Sequence, residues 1–336
     1  MEKQFNDPAF YFQWHFIESC NMRCKHCYQS GYKYKADLGL IDETISQIDR
    51  FLNVWNMSGR VSLTGGEPLL DLGVLWHIAE KLSSMPRIKH IGILTNGTLI
   101  TDEVISRIKS FPKIKEVQVS LDGATARTHD FIRGKGNFEL AVNGLKKLVS
   151  AGINSSIMFT VSKLNKDESV AIIDLAEEIG ADSMTVERYT PVRGADDPMA
   201  LDAGETRSIF ESVFRKKSLL IQSGAKLRIR TSRPLWNLVS DECGGICPVG
   251  YSCLTIMHDG TLYPCRRLPI ALGNIRADGI FKVWYTSPVL RNLRNRAKIK
   301  KCAECGRNKS CDGCRAAAYA VYHDYMECDP LCWKEN

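Results

Sequence analysis

Cys20, Cys24 and Cys27 stand as C-x3-C-x2-C within ESCNMRCKHCYQ. Three thiolates this close can hold three corners of an iron–sulfur cluster from one loop, because such clusters are ligated by cysteine sulfur. A four-iron cluster held by three cysteines keeps one iron open to a substrate or cofactor. The same stretch also allows a structural zinc site, two of the cysteines joining His26 or a remote ligand, since C-x2-C recurs in zinc knuckles. Soft, all-sulfur ligation points towards the cluster. A second chemical signal is Leu63-Thr64-Gly65-Gly66-Glu67-Pro68. Adjacent glycines let backbone approach a ligand with no Cβ in the way, and their carbonyls with the Glu67 carboxylate suit an ammonium group. Read alone, the segment is more readily an ordinary Gly-Gly turn into a helix begun by Pro68.

The chain's other cysteines lie far downstream. They run Cys247-x5-Cys253-x11-Cys265, then Cys302-x2-Cys305-x5-Cys311-x2-Cys314, then Cys328-x3-Cys332, with Cys243 just before them. A zinc ribbon separates its two C-x2-C knuckles by ~15–20 residues, whereas Cys305 and Cys311 are separated by five. The total of 13 is odd and unevenly placed. Clustered cysteines in a reducing compartment read as metal ligands before disulfides.

These residues need a scaffold. The 336-residue chain is 44% hydrophobic and 25% charged, which excludes a disordered chain. Its net charge of +7 is spread along the sequence and does not imply nucleic-acid binding. No apolar run approaches the ~18 residues of a membrane helix, and MEKQFNDPAF lacks a signal-peptide core, so the expected location is the cytoplasm. From residue 11 to about 190, short aliphatic runs alternate with amphipathic stretches. The runs are Phe10 to Ile17, Val61 to Thr64, Ile88 to Thr95, Val117 to Leu121, Ile153 to Val161 and Ser183 to Tyr189. Helices are predicted over Asp42 to Trp55, Leu72 to Ser84, Thr101 to Ser110, Asn137 to Ala151 and Asp167 to Ile179, with Asp42 as a capping residue and Gly152 as a positive-φ stop. Six strand–helix units require crossovers and hence a parallel sheet, either an open three-quarter barrel or a doubly wound one. A loop over 190–201 and one more helix over 202–218 follow, and the pattern then breaks into short strands and turns. This places a boundary near 220, with domains 1–220 and 221–336. The three-cysteine loop follows the first strand, at the sheet edge where barrel folds build active sites.

C-x3-C-x2-C followed by Tyr28, with GGEP after the second strand, resembles the radical S-adenosylmethionine superfamily. The resemblance implies an α/β fold, a partial (β/α)6 TIM-like barrel, in which the cluster's open iron chelates S-adenosylmethionine and Gly65, Gly66 and Glu67 contact its methionyl ammonium. Thr95-Asn96-Gly97, Ser120-Leu121-Asp122-Gly123 and Arg133-Gly134 are similar to later family positions. This makes Asn96, Ser120, Asp122 and Arg133 cofactor-binding residues, with Ser120 and Arg133 at the carboxylate or ribose. The implied chemistry is reductive cleavage to methionine and a 5′-deoxyadenosyl radical that abstracts hydrogen from a substrate.

The tail resembles the SPASM extension of that superfamily, including His258-Asp259-Gly260-Thr261 before Cys265 and Cys314-Arg315-Ala316. The resemblance implies two auxiliary four-iron clusters, three clusters in all. Cys247, Cys253, Cys265 and Cys314 would hold the first. Cys302, Cys305, Cys311 and Cys332 would hold the second, Cys332 because of Asp329-Pro330-x-Cys332, with Cys328 as the alternative last ligand. Clusters of these charges would bring the net +7 down to roughly +2.

Members of this subgroup mostly modify peptides or proteins by crosslinking, epimerisation or related C–H functionalisation. That is the expected activity, with a flavodoxin- or ferredoxin-type electron donor. Only about ten residues precede the first strand, so the expectation is a separate leader-peptide recognition protein or direct binding to the barrel. Arg266 and Arg267 follow Cys265 where sulfatase-maturing members carry a Cys-Asp pair, which counts against formylglycine formation; they read as a solvated face. Cys243 reads as a buried free thiol, the alternatives being a hydrogen-atom donor or an extra cluster ligand. His15 reads as a core histidine, and Trp284, Tyr319, Tyr322, Tyr325 and Trp333 as packing. Two other functions stay open: modification of a tetrapyrrole or redox-cofactor precursor, and a non-catalytic electron-transfer scaffold, which would need neither GGEP nor an open three-cysteine site.

Overall fold

A computed structural model describes residues 9–29, 31–32, 37–307 and 310–334. Its first part alternates strands and helices: β1 (Ala9–Ile17), α1 (Leu38–Val54), β2 (Ser58–Gly65), α2 (Leu72–Ser84), β3 (Ile88–Thr95), α3 (Asp102–Lys109), β4 (Ile114–Ser120), α4 (Ala126–Arg133), α5 (Asn137–Ser150), β5 (Ser155–Val161), α6 (Ala171–Ile179), β6 (Ser183–Arg188), α7 (Ala203–Ser223) and β7 (Arg228–Arg230). The tail adds β8 (Cys253–Ile256), β9 (Thr261–Tyr263), β10 (Gly273–Asn274), α8 (Gly279–Thr286), α9 (Pro288–Leu293) and α10 (Arg315–Tyr322).

All ten strands join one sheet, in the order β10-β9-β8-β1-β2-β3-β4-β5-β6-β7. The strands β1 to β7 pair in parallel with their neighbours, so β7 is a seventh beyond the six expected. Residue 220 lies inside α7, and the tail enters the same sheet rather than standing apart from it. Its strand β8 pairs in parallel with β1, Tyr11 opposite Cys253, and β9 and β10 return antiparallel.

The alternation of β1 explains both faces of the sheet. Phe10, Phe12, Trp14 and Phe16 are buried towards the helices, where Phe10 and Phe12 meet Phe51 of α1 and Phe10 meets Trp284 of α8. Burial of each such side chain contributes ~1.5–3 kcal/mol. The intervening Tyr11 and Gln13 point inwards, as do Arg60 and Ser62 of β2, His90 of β3, Glu116 and Gln118 of β4 and Met158 of β5; all line a cavity of 910 Å³. A closed (β/α)8 barrel fills this space with branched aliphatic side chains. Here polar and small residues leave a lumen open.

Two local expectations change. Helix α1 starts four residues before Asp42, capped by Asp37, whose Oδ1 accepts from the Leu40 backbone N–H at 2.5 Å. Asp42 lies within the helix and pairs with His77 at 2.8 Å. The apolar stripe Leu40, Ile41, Ile45, Ile48 and Phe51 already includes the residues before Asp42, which is why the earlier cap prevails. The segment 126–133, predicted as part of no element, is α4, capped by Thr125. Gly152 does have positive φ, at 70°, just after α5. Among the described residues no helix is long and apolar enough to cross a membrane.

Candidate functional site

The three-cysteine loop leaves the C-terminal end of β1 and is fixed by backbone on both sides. The Lys25 N–H donates to the Ile132 carbonyl of α4 at 2.9 Å, and the Cys27 N–H to the Cys24 carbonyl at 3.1 Å. The Gly66 and Glu67 N–H groups donate to the Ile17 and Ser19 carbonyls at 2.8 and 2.9 Å. The two glycines are required here by the loop itself. A Cβ on Gly65, whose φ is +150°, would sit 1.9 Å from the Ile17 carbonyl oxygen, and one on Gly66 would sit 2.2 Å from that of Ser19. The close approach expected towards a ligand is therefore first an approach to the cysteine loop, and it brings the end of β2 beside it.

Cys20, Cys24, Cys27, Gly65, Gly66, Asn96, Ser120 and Arg133 line one chamber of 590 Å³ at the C-terminal end of the sheet. Two of the sequence-predicted residues stand behind its wall. Glu67 is fully buried, and its carboxylate accepts from the Leu69 N–H (3.0 Å), the Thr95 hydroxyl (2.6 Å) and the Asn96 N–H (2.7 Å). Burial pushes its pKa up to about 7 against the pull of those three donors. Asp122 is likewise fully buried and holds Arg133 Nε at 2.5 Å, His26 Nε2 at 3.3 Å and the Thr160 N–H at 2.8 Å. Burial alone would raise its pKa, but Arg133 and His26 bring it below the ordinary value. Both carboxylates thus position strand-end loops, and Asp122 aims Arg133, whose Nη1 lies 3.9 Å from Cys24 Sγ. Burial pushes the Cys20 thiol up to about 11, with Glu67, Cys24 and Cys27 adding to the effect. Burial also raises Cys24, opposed by Arg133. Neutral thiols crowded by one another become good ligands when a metal centre displaces their protons.

The tail cysteines gather into two further groups. Burial raises Cys247, whose charged neighbours include Cys314 and Cys265, and raises Cys253, whose neighbours are Cys247 and Cys265. All four line the 910 Å³ cavity. Burial pushes Cys302 up to about 11, beside Cys311, Cys332 and Cys328, while Cys332 is raised by its own burial and lies near Cys305. Cys305 is the outer member; burial would raise it, but the Arg307 N–H and Lys334 Nζ, 3.3 Å from its sulfur, lower it. Among the described residues no three His, Cys, Asp or Glu side chains converge on a point that one metal ion could fill, as a closed zinc site with ~2.0–2.3 Å bonds requires. All-sulfur groups set more widely apart, two of them on cavity walls, fit iron–sulfur clusters.

A buried ion pair ties the groups together. Arg188, at the end of β6, makes a bidentate contact with Asp329, both distances being 2.9 Å. Burial opposes both charges, yet Asp329 holds Arg188 above its ordinary value and Arg188 holds Asp329 below its own. The Asp329 carboxylate also accepts from the Cys314 and Leu331 N–H groups at 2.7 and 3.0 Å. One residue thus braces a cysteine of the first tail group and the loop carrying Cys332.

Arg266 and Arg267 do not form a solvated face. Arg267 lies 3.3 Å from Glu187 Oε1 and donates to the Arg188 carbonyl and Thr190 hydroxyl at 3.4 and 3.3 Å. Arg233 approaches Glu187 Oε2 at 3.3 Å without hydrogen-bond alignment, so that oxygen stays unsatisfied as an acceptor. Arg266 lies over the Tyr28 ring, 4.9 Å from its centroid. Arg266 and Arg267, with Gln118, Met158 and Glu187, line both chambers, which therefore meet in the lumen. Nothing in the residue types announced this. The polar alternation along β1, β2 and β4 is the signal that finds the lumen. Cys243 is buried on the larger cavity's wall, its sulfur accepting from the Thr231 hydroxyl at 3.2 Å. His15 is buried, and burial lowers its pKa to about 3; its Nδ1 lies 3.5 Å from the Tyr28 hydroxyl. Trp284 and Trp333 pack on Phe10 and Phe210.

Residues 14–176 match the family model of the radical SAM superfamily, and residues 247–306 match that of an iron–sulfur cluster-binding domain, SPASM. The chain is 30% identical over 339 residues to an AdoMet-dependent heme synthase of Nitratidesulfovibrio vulgaris, covering 95% of this chain and 90% of that protein. It is 29% identical over 346 residues to the mycofactocin maturase MftC of Mycolicibacterium smegmatis, covering 97% and 83%. Streptococcus suis SuiB has the same fold, with a TM-score of 0.77 for its S-adenosylmethionine complex and 0.76 for its complex with precursor peptide SuiA. Identity is 19% and 18%, over 97% of this chain and 77% and 76% of SuiB.

Proposed function

Because the chain belongs to the radical SAM superfamily and carries its SPASM extension, we propose that it modifies a peptide or protein substrate held in the lumen by radical C–H functionalisation. The observation that carries this reading is that Cys20, Cys24, Cys27 and the glycine pair face one chamber, which opens onto a second chamber walled by five more cysteines, Cys243 among them. Cys20, Cys24 and Cys27 would hold the cluster that works with S-adenosylmethionine. Cys247, Cys253, Cys265 and Cys314 would hold a second cluster, and Cys302, Cys305, Cys311 and Cys332 a third, with Cys328 the alternative last ligand, since both Cys332 and Cys328 lie beside Cys302. The chemistry such a cofactor set supplies when reduced is cleavage of the sulfonium C–S bond, releasing methionine and a 5′-deoxyadenosyl radical that takes a hydrogen atom from the substrate.

The chain's own residues do the rest. Gly65 and Gly66 bring the end of β2 against the cysteine loop, with Asn96 beside them for the cofactor's amino group. Ser120 and Arg133 line the chamber for its carboxylate or ribose, and Asp122 keeps Arg133 charged and aimed at the cysteines. Glu67 holds the ends of β2 and β3 together rather than reaching the cofactor. The sheet and tail surround the lumen and limit water around a reactive intermediate.

The peptide reading is supported by the likeness to a mycofactocin maturase. The second reading, a tetrapyrrole substrate, is supported by the nearly end-to-end similarity to an AdoMet-dependent heme synthase. Reconstituted, dithionite-reduced protein given S-adenosylmethionine should release 5′-deoxyadenosine and methionine in equal amounts. No release would leave only the scaffold reading. Offering the peptide encoded nearest this gene, and separately iron-coproporphyrin III, then separates the substrate classes by mass spectrometry. A mass change in the porphyrin alone replaces the peptide reading.

A further inference from the structure

The arginines of the lumen wall divide by what faces them. Arg133 is paired with Asp122, Arg188 with Asp329, Arg230 with Glu116 and Arg267 with Glu187. Arg266 has no such partner: among the described residues no carboxylate lies within ion-pair distance of its guanidinium. It lies instead over the Tyr28 ring, 4.9 Å from its centroid. Stacking on an aromatic face fixes the plane of a guanidinium while its N–H edge stays available.

Other arginines face the cysteines of the larger cavity. Arg267 faces Cys314, Cys265 and Cys247, and Arg233 faces Cys253, so these two offset the four-cysteine group. The charge of Arg266 reaches Glu187 and Tyr11 on the side of the larger cavity, where Arg267 is in ion-pair contact with Glu187. It also reaches Tyr28, His15 and His26 beside the three-cysteine loop. Arg133, against Cys24, is the cation already placed for the cofactor on that side. Arg266 is partly buried, and it borders both chambers. A guanidinium there, bordering a polar lumen with no carboxylate in ion-pair contact, has its N–H edge open to an incoming anion, and its planar fork matches a carboxylate.

We propose that Arg266 is the substrate's carboxylate anchor, clamping it where the two chambers meet and so setting which C–H bond faces the three-cysteine loop. This rests on the reading of the lumen as the reaction chamber, and it narrows the substrate to one that presents a carboxylate there: a peptide terminus or acidic side chain, or an acidic side arm of a ring. It also gives Arg266 a role in specificity that the position after Cys265 does not reveal by itself.

The test uses the reconstituted holoenzyme saturated with S-adenosylmethionine. The probe is 4-fluorobenzoate, with 4-fluorobenzamide as its uncharged control, each titrated in 19F NMR. Saturable binding of the benzoate but not the benzamide is expected, weakened at least tenfold in Arg266→Gln. Arg266→Lys, which keeps charge but not the fork, should fall between them; iron content and circular dichroism establish that both variants are folded. No saturable benzoate binding, equal binding in Arg266→Gln, or equal binding of the benzamide would overturn the proposal. Displacement of the probe on adding S-adenosylmethionine to cofactor-free enzyme assigns the anion to the cofactor's own carboxylate and overturns it too. The functional reading fails separately: protein that binds the probe but releases no 5′-deoxyadenosine keeps the anion site and loses the radical chemistry.

Discussion

The buried pair between Arg188 and Asp329 makes a prediction that separates charge from anchoring. The side chains are 6% and 1% exposed, so removing either leaves the other charged and out of water. Loss of one partner of a buried pair costs ~3–5 kcal/mol. At ~2.1 cal/mol/K of unfolding entropy per residue, a chain of 336 residues turns that into a fall of ~4–7 °C in the thermal midpoint. Arg188→Met and Asp329→Ala should both show at least this shift in anaerobic circular dichroism of the reconstituted protein. Iron content should then distinguish them. Arg188→Met leaves the Asp329 carboxylate still accepting from the Cys314 and Leu331 N–H groups, and iron is retained. Asp329→Ala frees both backbone groups, and iron should fall towards that of Cys314→Ala, which on the proposed ligand set loses about four irons per chain. Equal iron in the two variants would refute the anchoring role. A midpoint shift below ~1 °C for both would show that the pair is not paying for buried charge at all.

Gly66→Ala puts a methyl 2.2 Å from the Ser19 carbonyl oxygen, and rigid backbone on both sides gives it nowhere to go. The variant should keep the tail's iron and lose the signal of the three-cysteine cluster in electron paramagnetic resonance; a full-strength signal with S-adenosylmethionine-dependent changes intact would contradict the packing argument. Glu67 is an acid whose folded pKa, about 7, lies above its ordinary range. Its contribution is therefore fully present below the unfolded value of ~4.3 and is lost as pH rises to the folded one. The wild type should lose stability between pH 5 and 7.5 relative to Glu67→Gln, measured as urea midpoints across that range; parallel curves would show that the three donors hold the carboxylate ionised throughout.

Much of the barrel was legible because its signals are local. β-Branched runs of four to nine residues announced six strands, and the cysteine spacings announced the metal chemistry. The start of α1 was misread at Asp42 because a capping residue is a short signal, while the apolar stripe that fixes the helix extends back to Leu40. Helix α4 carries few apolar residues, and its register comes from the Thr125 cap and from Glu168, which accepts from the Ala124 N–H and the Thr128 hydroxyl. The lumen was harder, because its wall is a tertiary product: Glu116, Glu187 and the arginines look solvated in one dimension and face inwards in three. Glu67 and Asp122, expected at the cofactor, stand one layer behind the chamber wall, a distinction that spacing cannot make.

The pairing of β8 on β1 also constrains when the protein can mature. Tyr11 meets Cys253 across the sheet, so the edge beside Phe10, Phe12 and Trp14 waits for a partner that emerges some 240 residues later, roughly 10–50 s at ordinary rates of synthesis. Contacts of such long sequence separation are slow to form, and an uncovered strand edge invites foreign pairing meanwhile. The strand that finally covers it begins with a cysteine of the first tail group. Completing the sheet and assembling that cysteine group are therefore late events that converge on one strand, so a nascent chain is at its most aggregation-prone before either is done. Iron–sulfur assembly proteins in excess should raise yield by shortening that interval, and low temperature by weakening apolar association while the edge is uncovered.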